Sequence, residues 1–285
     1  MNFVDLHCHS TASDGRLAPA EVVRLASESG LTGLSLTDHD TVAGIAEASA
    51  EAERLGIDFI SGIEISAKFP APGTLHILGY GVNPDSAALR SLTDRLIADR
   101  DTRNPRIIER LNAMNVHVSM DEWQAEAGDG VVGRPHLAAI LVRKGYASSV
   151  KNAFEKFIGH GAPAYVEKDR LSPRSALQAI RDSAGLAVLA HPSQLRVGND
   201  AELERVVKDL VDLGLVGIEV LHSDHDERWI ERCEQLARRF GLLRSGGSDF
   251  HGSNKPGISL GMAAGRRIPR EYFDQLRERL SEVKR

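Results

Sequence analysis

Cysteine is scarce in this chain of 285 residues: only Cys8 and Cys233 occur, too few for a disulfide framework or a cysteine-rich zinc site. Such usage fits a reducing compartment, and the cytoplasm is the expected location. No uninterrupted apolar run reaches the length that spans a bilayer. Met1-Asn2-Phe3-Val4-Asp5 enters a strand-like segment with neither a basic nor an apolar leader region, so export and membrane association are not expected. A basic surplus is missing too. Lys and Arg number 35 against 40 Asp and Glu, and the net charge of −5 argues against broad binding to duplex DNA or an anionic surface. Aromatic residues make up 5%, too few at this charge for a long groove that stacks a single strand. What is present is an apolar fraction of 42%, enough for a sizeable core, since a chain of this length buries roughly 75% of its unfolded surface.

Short β-rich runs alternate with helical periods. Phe3–Leu6, Gly33–Thr37, Asp58–Gly62, Ala187–Ala190, Gly217–Leu221 and Leu242–Gly246 read as buried strands. Pro19 and Pro173 occupy first helical positions. This alternation predicts an α/β fold with a parallel sheet, either a barrel or a large open sheet. One pair breaks the pattern: Ile63–Phe69 and Thr74–Gly81 flank Pro70-Ala71-Pro72-Gly73 and read as a hairpin. A second break covers roughly Ser86–Tyr165, which has helical periods, a capping box at Ser119-Met120-Asp121-Glu122 and no convincing strand.

The position of histidines and carboxylates relative to the strands carries the chemistry. His7 and His9 follow the first strand, His39 the second, Glu64 the third; His191 follows Ala187–Ala190, and Asp249 and His251 follow Leu242–Gly246. In βα folds the C-terminal strand ends form the active-site face, so chance placement is a poor explanation for ligand-type residues at so many of them. His7 and His9 point to one side of an extended chain because the side-chain period is two, and Cys8 faces away. In Asp38-His39-Asp40 the histidine suits a metal, while either Asp could support it or cap the next helix.

Together these segments resemble the polymerase and histidinol phosphatase (PHP) superfamily. The resemblance rests on Asp5-Leu6-His7-Cys8-His9-Ser10, Thr37-Asp38-His39-Asp40, Gly62-Ile63-Glu64-Ile65-Ser66, His76-Ile77-Leu78-Gly79, Ala190-His191-Pro192 and Gly247-Ser248-Asp249-Phe250-His251. It implies a distorted seven-stranded βα barrel of TIM-like type from residues 1–85 and 166–285, with a helical insertion over 86–165 that contributes to the substrate site. It also implies two or three divalent ions at the open end. By resemblance, His7, His9, Glu64 and Asp249 hold one; Glu64, His76 and His191 a second; Asp14, His39 and His251 a third. An N/O donor set of this kind suits Mn, with Fe or Zn as alternatives.

The match narrows to phosphoesterases that act on nucleoside 3′,5′-bisphosphates, some of which also degrade short 5′-phosphorylated RNA from the 5′ end. Three features carry it: the insertion between His76 and His191, Gly133-Arg134-Pro135-His136 within it, and Gly217-Ile218-Glu219-Val220 followed by His225. Divalent ions would outweigh the carboxylates, attract a phosphate dianion and supply the attacking hydroxide. The expected partner is thus a small nucleotide or short RNA. Arg134 and His136 are candidate phosphate or sugar contacts, although Gly133-Arg134-Pro135 also reads as a plain helix start. Arg103 and Asn104 fall in a stretch, Arg90 to Arg110, with six Arg against four acidic residues, which reads equally as a solvated face. His225 is a further candidate, with His222 and Asp224 competing nearby, and Glu219 is suited to orienting a ligand. Trp123 and Phe154 read as core of the insertion. Histidinol phosphate hydrolysis and a non-catalytic accessory role are the remaining alternatives.

Overall fold

The computed structural model describes residues 2–70, 72–128, 132–167 and 170–283. Ala71, in the expected hairpin turn, lies outside them. The elements run β1 (Phe3–Cys8), α1 (Pro19–Glu28), β2 (Leu31–Leu36), α2 (Ile45–Leu55), β3 (Asp58–Ala67) and β4 (Leu75–Tyr80). Helices α3 (Ala87–Ala113), α4 (Met120–Ala127), α5 (Arg134–Arg143) and α6 (Val150–Ala153) follow, then a π-helical turn over Phe154–Ile158. The chain returns through α7 (Pro173–Asp182), β5 (Leu186–Leu189), α8 (Asp200–Asp212), β6 (Gly217–Leu221), α9 (Glu227–Phe240) and β7 (Leu243–Gly246). A small hairpin, β8 (Met262–Ala263) and β9 (Arg266–Arg267), precedes α10 (Arg270–Val283).

Strands β1 to β7 form one seven-stranded sheet in sequence order. All neighbours are parallel except β4, which runs antiparallel to both β3 and β5. The expected α/β architecture with seven strands is therefore what the chain forms. One local expectation needs correction: Asp58–Gly62 and the first hairpin strand are a single strand, β3, so Glu64 lies inside a strand instead of beyond its end. Gly62 permits this continuity, because a Cβ there would come 2.6 Å from the Leu36 carbonyl oxygen, and β3 switches partner from β2 to β4 at this point. The reversal of β4 puts its first residues, including His76, at the end of the sheet where the parallel strands finish.

The two edges of the sheet meet at that end. Asp249 N–H donates to the His7 carbonyl at 2.8 Å and His9 N–H to the Phe250 carbonyl at 2.9 Å. Buried Asp5 adds a polar tie: its carboxylate accepts from Ser248 N–H and Oγ and from Gly261 N–H. Helix starts follow local chemistry: Pro19 and Pro173 are first helical residues, Ser172 Oγ accepts from Ser175 N–H, and Ser119 and Glu122 cap α4 reciprocally.

Two cores are joined by α3. Its first half, through Leu89, Leu92 and Leu96, packs into the core of the sheet. Its second half, through Ile107, Ile108 and Leu111, joins Trp123, Leu137, Leu141 and Phe157 in a core of the helical segment. Pro105 lies inside α3 near this change and removes one helix hydrogen bond.

Gly247 sits where β7 meets β1; a Cβ there would lie 2.1 Å from His7 Cβ and 2.5 Å from His7 N. Gly247→Ala should therefore push these strand ends apart and cost about 3 kcal/mol, measurable as a fall in the denaturant midpoint. An unchanged midpoint would show that the closure tolerates a methyl group.

Candidate metal centre

The nine sequence-predicted ligand residues converge at this end of the sheet. His7 and His9 face the same space, with ring centroids 5.2 Å apart, and Cys8 between them turns away to donate to the Ser35 carbonyl. Glu64 is the common neighbour. Its Oε1 lies 2.8 Å from His76 Nδ1 and 2.8 Å from His191 Nε2. Its Oε2 lies 2.9 Å from His39 Nδ1 and 3.4 Å from both His7 Nε2 and His9 Nε2. On the far side, His251 stacks on His9 at 4.0 Å between centroids, and its Nε2 lies 3.3 Å from Asp14 Oδ1. Asp40, His191 and Asp249 all adopt positive φ, 56°, 24° and 57°. Such strain gathers at functional sites, where the surroundings hold it in place.

Surrounding groups settle which nitrogen faces inward. His7 Nδ1–H donates to Glu219 Oε1 at 3.0 Å, so Nε2 is the nitrogen that faces the cluster. The other Glu219 oxygen accepts His191 N–H at 2.7 Å. His251 Nδ1–H donates to the Asp249 carbonyl, which again frees Nε2. His222 Nδ1 accepts from Asp224 N–H, so its Nε2–H donates to Asp249 Oδ2 at 3.2 Å. Lys255 Nζ reaches the same oxygen at 2.5 Å, and Asp249 Oδ1 is left 3.3 Å from His9 Nε2 and 3.6 Å from His7 Nε2.

His7 Nε2, both His9 nitrogens, His39 Nδ1 and Glu64 Oε2 are buried without a partner in hydrogen-bond geometry. Buried polar atoms are ordinarily paired, and converging unpaired lone pairs are the arrangement a cation satisfies. Burial, then His251 and His39, push the His9 imidazole down to about 3; burial likewise takes His191 down to about 4. Both are therefore neutral, as a ligand must be. Burial alone would raise the Glu64 carboxyl, but His39, His76 and His7 outweigh it and hold it well below its ordinary range. Groups with one donor atom each within 4.8 Å of one another are His9, Asp14, His39 and His251; His7, His9 and Asp249; His7, Glu64 and His191; and His39, Glu64 and His76. Each could hold a divalent ion. The remaining such group, His7, Glu219 and His222, has its inner atoms already used in the hydrogen bonds above.

Asp14, His39 and His76 also border a cavity of about 250 Å³ that Arg100, Arg103, Arg134 and Arg170 line as well. Arg134 is the first residue of α5, so the helix-start and cavity readings hold together. Asn104, His136 and His225 do not border this cavity. Asn104 Oδ1 accepts from Arg103, its Nδ2 donates to the Val132 carbonyl, and His136 Nδ1 accepts from Gly133 N–H. His225 Nδ1–H donates to the Val220 carbonyl and the ring stacks on Trp229. Trp123 is buried in the helical core as expected, whereas Phe154 is half-buried and borders the cavity.

Sequence reasoning passed over Lys255 and Arg170, counted Arg100 only within the Arg90 to Arg110 stretch, and named His222 only as a competitor of His225. The strand-end rule, applied to Gly217–Leu221, would have pointed to His222, the first residue past β6. Neither Asp38 nor Asp40 caps α2, whose N-cap is Gly44. Asp38 accepts from Ser10 and Ser13, and Asp40 accepts from Ser66 N–H and pairs with Arg100 at 2.7 Å.

The chain belongs to the PHP domain family, whose model matches residues 5–220. A 5′-3′ exoribonuclease of Haemophilus influenzae is 34% identical over 247 residues, covering 87% of this chain and 89% of that protein. A 3′,5′-nucleoside bisphosphate phosphatase of Chromobacterium violaceum is 34% identical over 259 residues, covering 90% of each. A phosphoribosyl 1,2-cyclic phosphate 1,2-diphosphodiesterase of Eggerthella lenta is 34% identical over 251 residues, covering 87% and 94%. Among solved structures, an amidohydrolase from Chromobacterium violaceum, with sulfate bound and no metal, superposes with a TM-score of 0.87 at 33% identity, over 97% of this chain and 96% of that one. All three relatives are named for hydrolysis of phosphoester bonds. No helix among the described residues is long and apolar enough to cross a membrane.

Arg100 joins α3 to the sheet through buried Asp40. Arg100→Met removes a charge-assisted contact and should cost about 1.5–3 kcal/mol, read from urea unfolding. A cost near zero would mean that other contacts of Asp40 carry this junction.

Proposed function

We propose that this chain is a metal-dependent phosphoesterase that removes the 3′-phosphate from nucleoside 3′,5′-bisphosphates, such as adenosine 3′,5′-bisphosphate. The observation that carries this reading is one cavity lined both by members of the histidine and carboxylate cluster, Asp14, His39 and His76, and by guanidinium groups. The donors suit divalent ions, and we assign His7, His9, Glu64 and Asp249 to one, Glu64, His76 and His191 to a second, and Asp14, His39 and His251 to a third. Bound ions would supply a deprotonated water as nucleophile and stabilise charge on the phosphoryl oxygens. Manganese is the proposed metal, with iron or zinc as alternatives.

The chain's own residues supply orientation. Glu219 fixes the His7 ring and the His191 backbone; His222 and Lys255 hold one Asp249 oxygen and leave the other facing the cluster. Arg134 and Arg103, from the helical insertion 86–165, would grip the phosphate that is not cleaved. Asn104 and His136 act behind them, on the Arg103 guanidinium and the Gly133 backbone. His225 takes no direct part in this scheme. Two buried free cysteines accord with a cytoplasmic setting.

Cleavage of short 5′-phosphorylated RNA is the second reading, favoured by the exoribonuclease relative, and it makes the same demand for a second anion site. Histidinol phosphate fits less well, since its ammonium group would share a cavity with the guanidinium groups. A panel of adenosine 3′,5′-bisphosphate, short 5′-phosphorylated RNA, adenosine 5′-monophosphate and histidinol phosphate separates these substrates by phosphate or nucleotide release.

Chelation should abolish turnover and Mn should restore it; full rate in protein shown by elemental analysis to be metal-free would sink the proposal. Glu64→Gln should lose both bound metal and activity, because one carboxylate serves two ions. Near-native metal content in that variant would refute the shared role. Arg134→Ala should keep its metal but lose about 10- to 150-fold in kcat/KM on the bisphosphate relative to an aryl phosphate, the worth of a charge-assisted contact. Equal loss on both substrates would assign Arg134 to structure alone.

A further inference from the structure

His9, Asp14, His39 and His251 form one candidate ion pocket. Its three histidines follow β1, β2 and β7, whereas Asp14 lies in the loop between β1 and α1. The Asp14 side chain is weakly held. Ser13 Oγ stands 3.3 Å from Asp14 Oδ1 but 2.6 Å from Asp38 Oδ1, and its single proton serves the shorter bond. The place of this carboxylate is therefore decided mainly by how the loop backbone is fastened.

Asn254 Nδ2 donates to the Asp14 carbonyl at 2.7 Å, and Arg16 Nε donates to Asn254 Oδ1 at 2.8 Å, which settles the orientation of the amide. Asn254 belongs to the turn that follows His251, and this turn lies close on Arg16: a Cβ on Gly252 would stand 3.0 Å from Arg16 Cβ. The other arm of the guanidinium, Nη2, donates to Glu126 Oε1 on α4 at 2.7 Å, and Arg143 of α5 takes Glu126 Oε2. Arg16 thus joins three segments: the loop of Asp14, the turn of His251, and the helices between β4 and β5. An isolated exposed ion pair contributes little. Here, however, the Glu126 side chain is only 10% exposed and is shared by two guanidiniums, and the planar Arg16 fork holds two acceptors in fixed directions.

We propose that Arg16 is a positioning residue that ties the docking of α4 and α5 to the place of Asp14, and so sets the ion affinity of the pocket formed by His9, Asp14, His39 and His251. This rests on the metal-dependent reading above, which gives no part to Arg16, Asn254 or Glu126. The path runs from Glu126 through the Arg16 guanidinium and the Asn254 amide to the Asp14 backbone. Coupling of this kind is reciprocal: an ion in that pocket and the docked helices each stabilise the other.

The test is titration of the metal-stripped protein with Mn, read as the number of ions bound and the affinity of each, for the wild type, Arg16→Met, Arg16→Lys, Glu126→Gln and the Arg16→Met/Glu126→Gln pair, with the Tm of each metal-free protein as a control. One class of ion should bind about 10- to 100-fold more weakly in Arg16→Met, with the other ions unaffected. Arg16→Lys, which keeps the charge but not the fork, should recover part of the loss. Glu126→Gln should weaken the same ion, and the paired variant should be no worse than Arg16→Met alone, because both changes break one path. A fall in Tm with every ion weakened alike, wild-type affinities in either single variant, or losses that simply add in the pair would each overturn the proposal while leaving the metal-dependent reading intact. A wild type that binds no Mn would instead overturn that reading, and this proposal with it.

Discussion

Glu64 is the constraint around which the rest of the molecule is arranged. A carboxylate with 1% exposure stands within 3.4 Å of ring nitrogens from five histidines, His7, His9, His39, His76 and His191. Burying a charge costs several kcal/mol unless it is compensated in good geometry. Here the compensation has to come from four separate segments of chain, each delivered by a strand or by the residues just after it. The topology meets that demand: β3 carries Glu64 at the place where it changes from a parallel to an antiparallel partner, and reversed β4 returns His76 to the same end.

A second layer of polar groups makes the array specific. Glu219 orients His7 and tethers the His191 backbone, and the Asp249 carbonyl orients His251. The bonds to the His7 and His251 rings fix which nitrogen of each faces inward, and this removes rotational freedom from groups that could serve as ligands. Asp5 extends the same logic to the fold, joining β1 to the segments around Ser248 and Gly261, so that the edges of the sheet and the ligand geometry are held by one network.

The helices between β4 and β5 contribute charge where the sheet contributes donors. Helix α3 belongs to both cores, and Arg100 and Arg103 lie between its two apolar halves. The cavity thus forms at a seam between cores, which is a common place for a ligand site because neither core fills it. Phosphoester hydrolysis is the chemistry for which the relatives are named, and under the proposed function the guanidiniums lining this cavity would select among phosphoesters.

Period-two alternation placed His7 and His9 together and turned Cys8 into the wall; strand-end positions located His39, His191, Asp249 and His251; and Pro and Ser signals located the starts of α1, α4 and α7. These are local properties, carried within a few residues. The break between Asp58–Gly62 and Ile63–Phe69 was read wrongly because a glycine inside a strand and a glycine ending one look alike in sequence. Lys255 and Arg170 were not legible, and neither were the supporting roles of His222, Asn104 and His136. Their significance lies in partners far away in sequence: Asp249, the metal-facing cavity, the Arg103 guanidinium. By itself the sequence determined which residue types stand at which strand ends, and hence a metal-binding α/β fold. Only the tertiary structure decided which nitrogen of each histidine faces the cluster and which arginines remain unpaired, because both depend on hydrogen bonds formed after distant segments have packed.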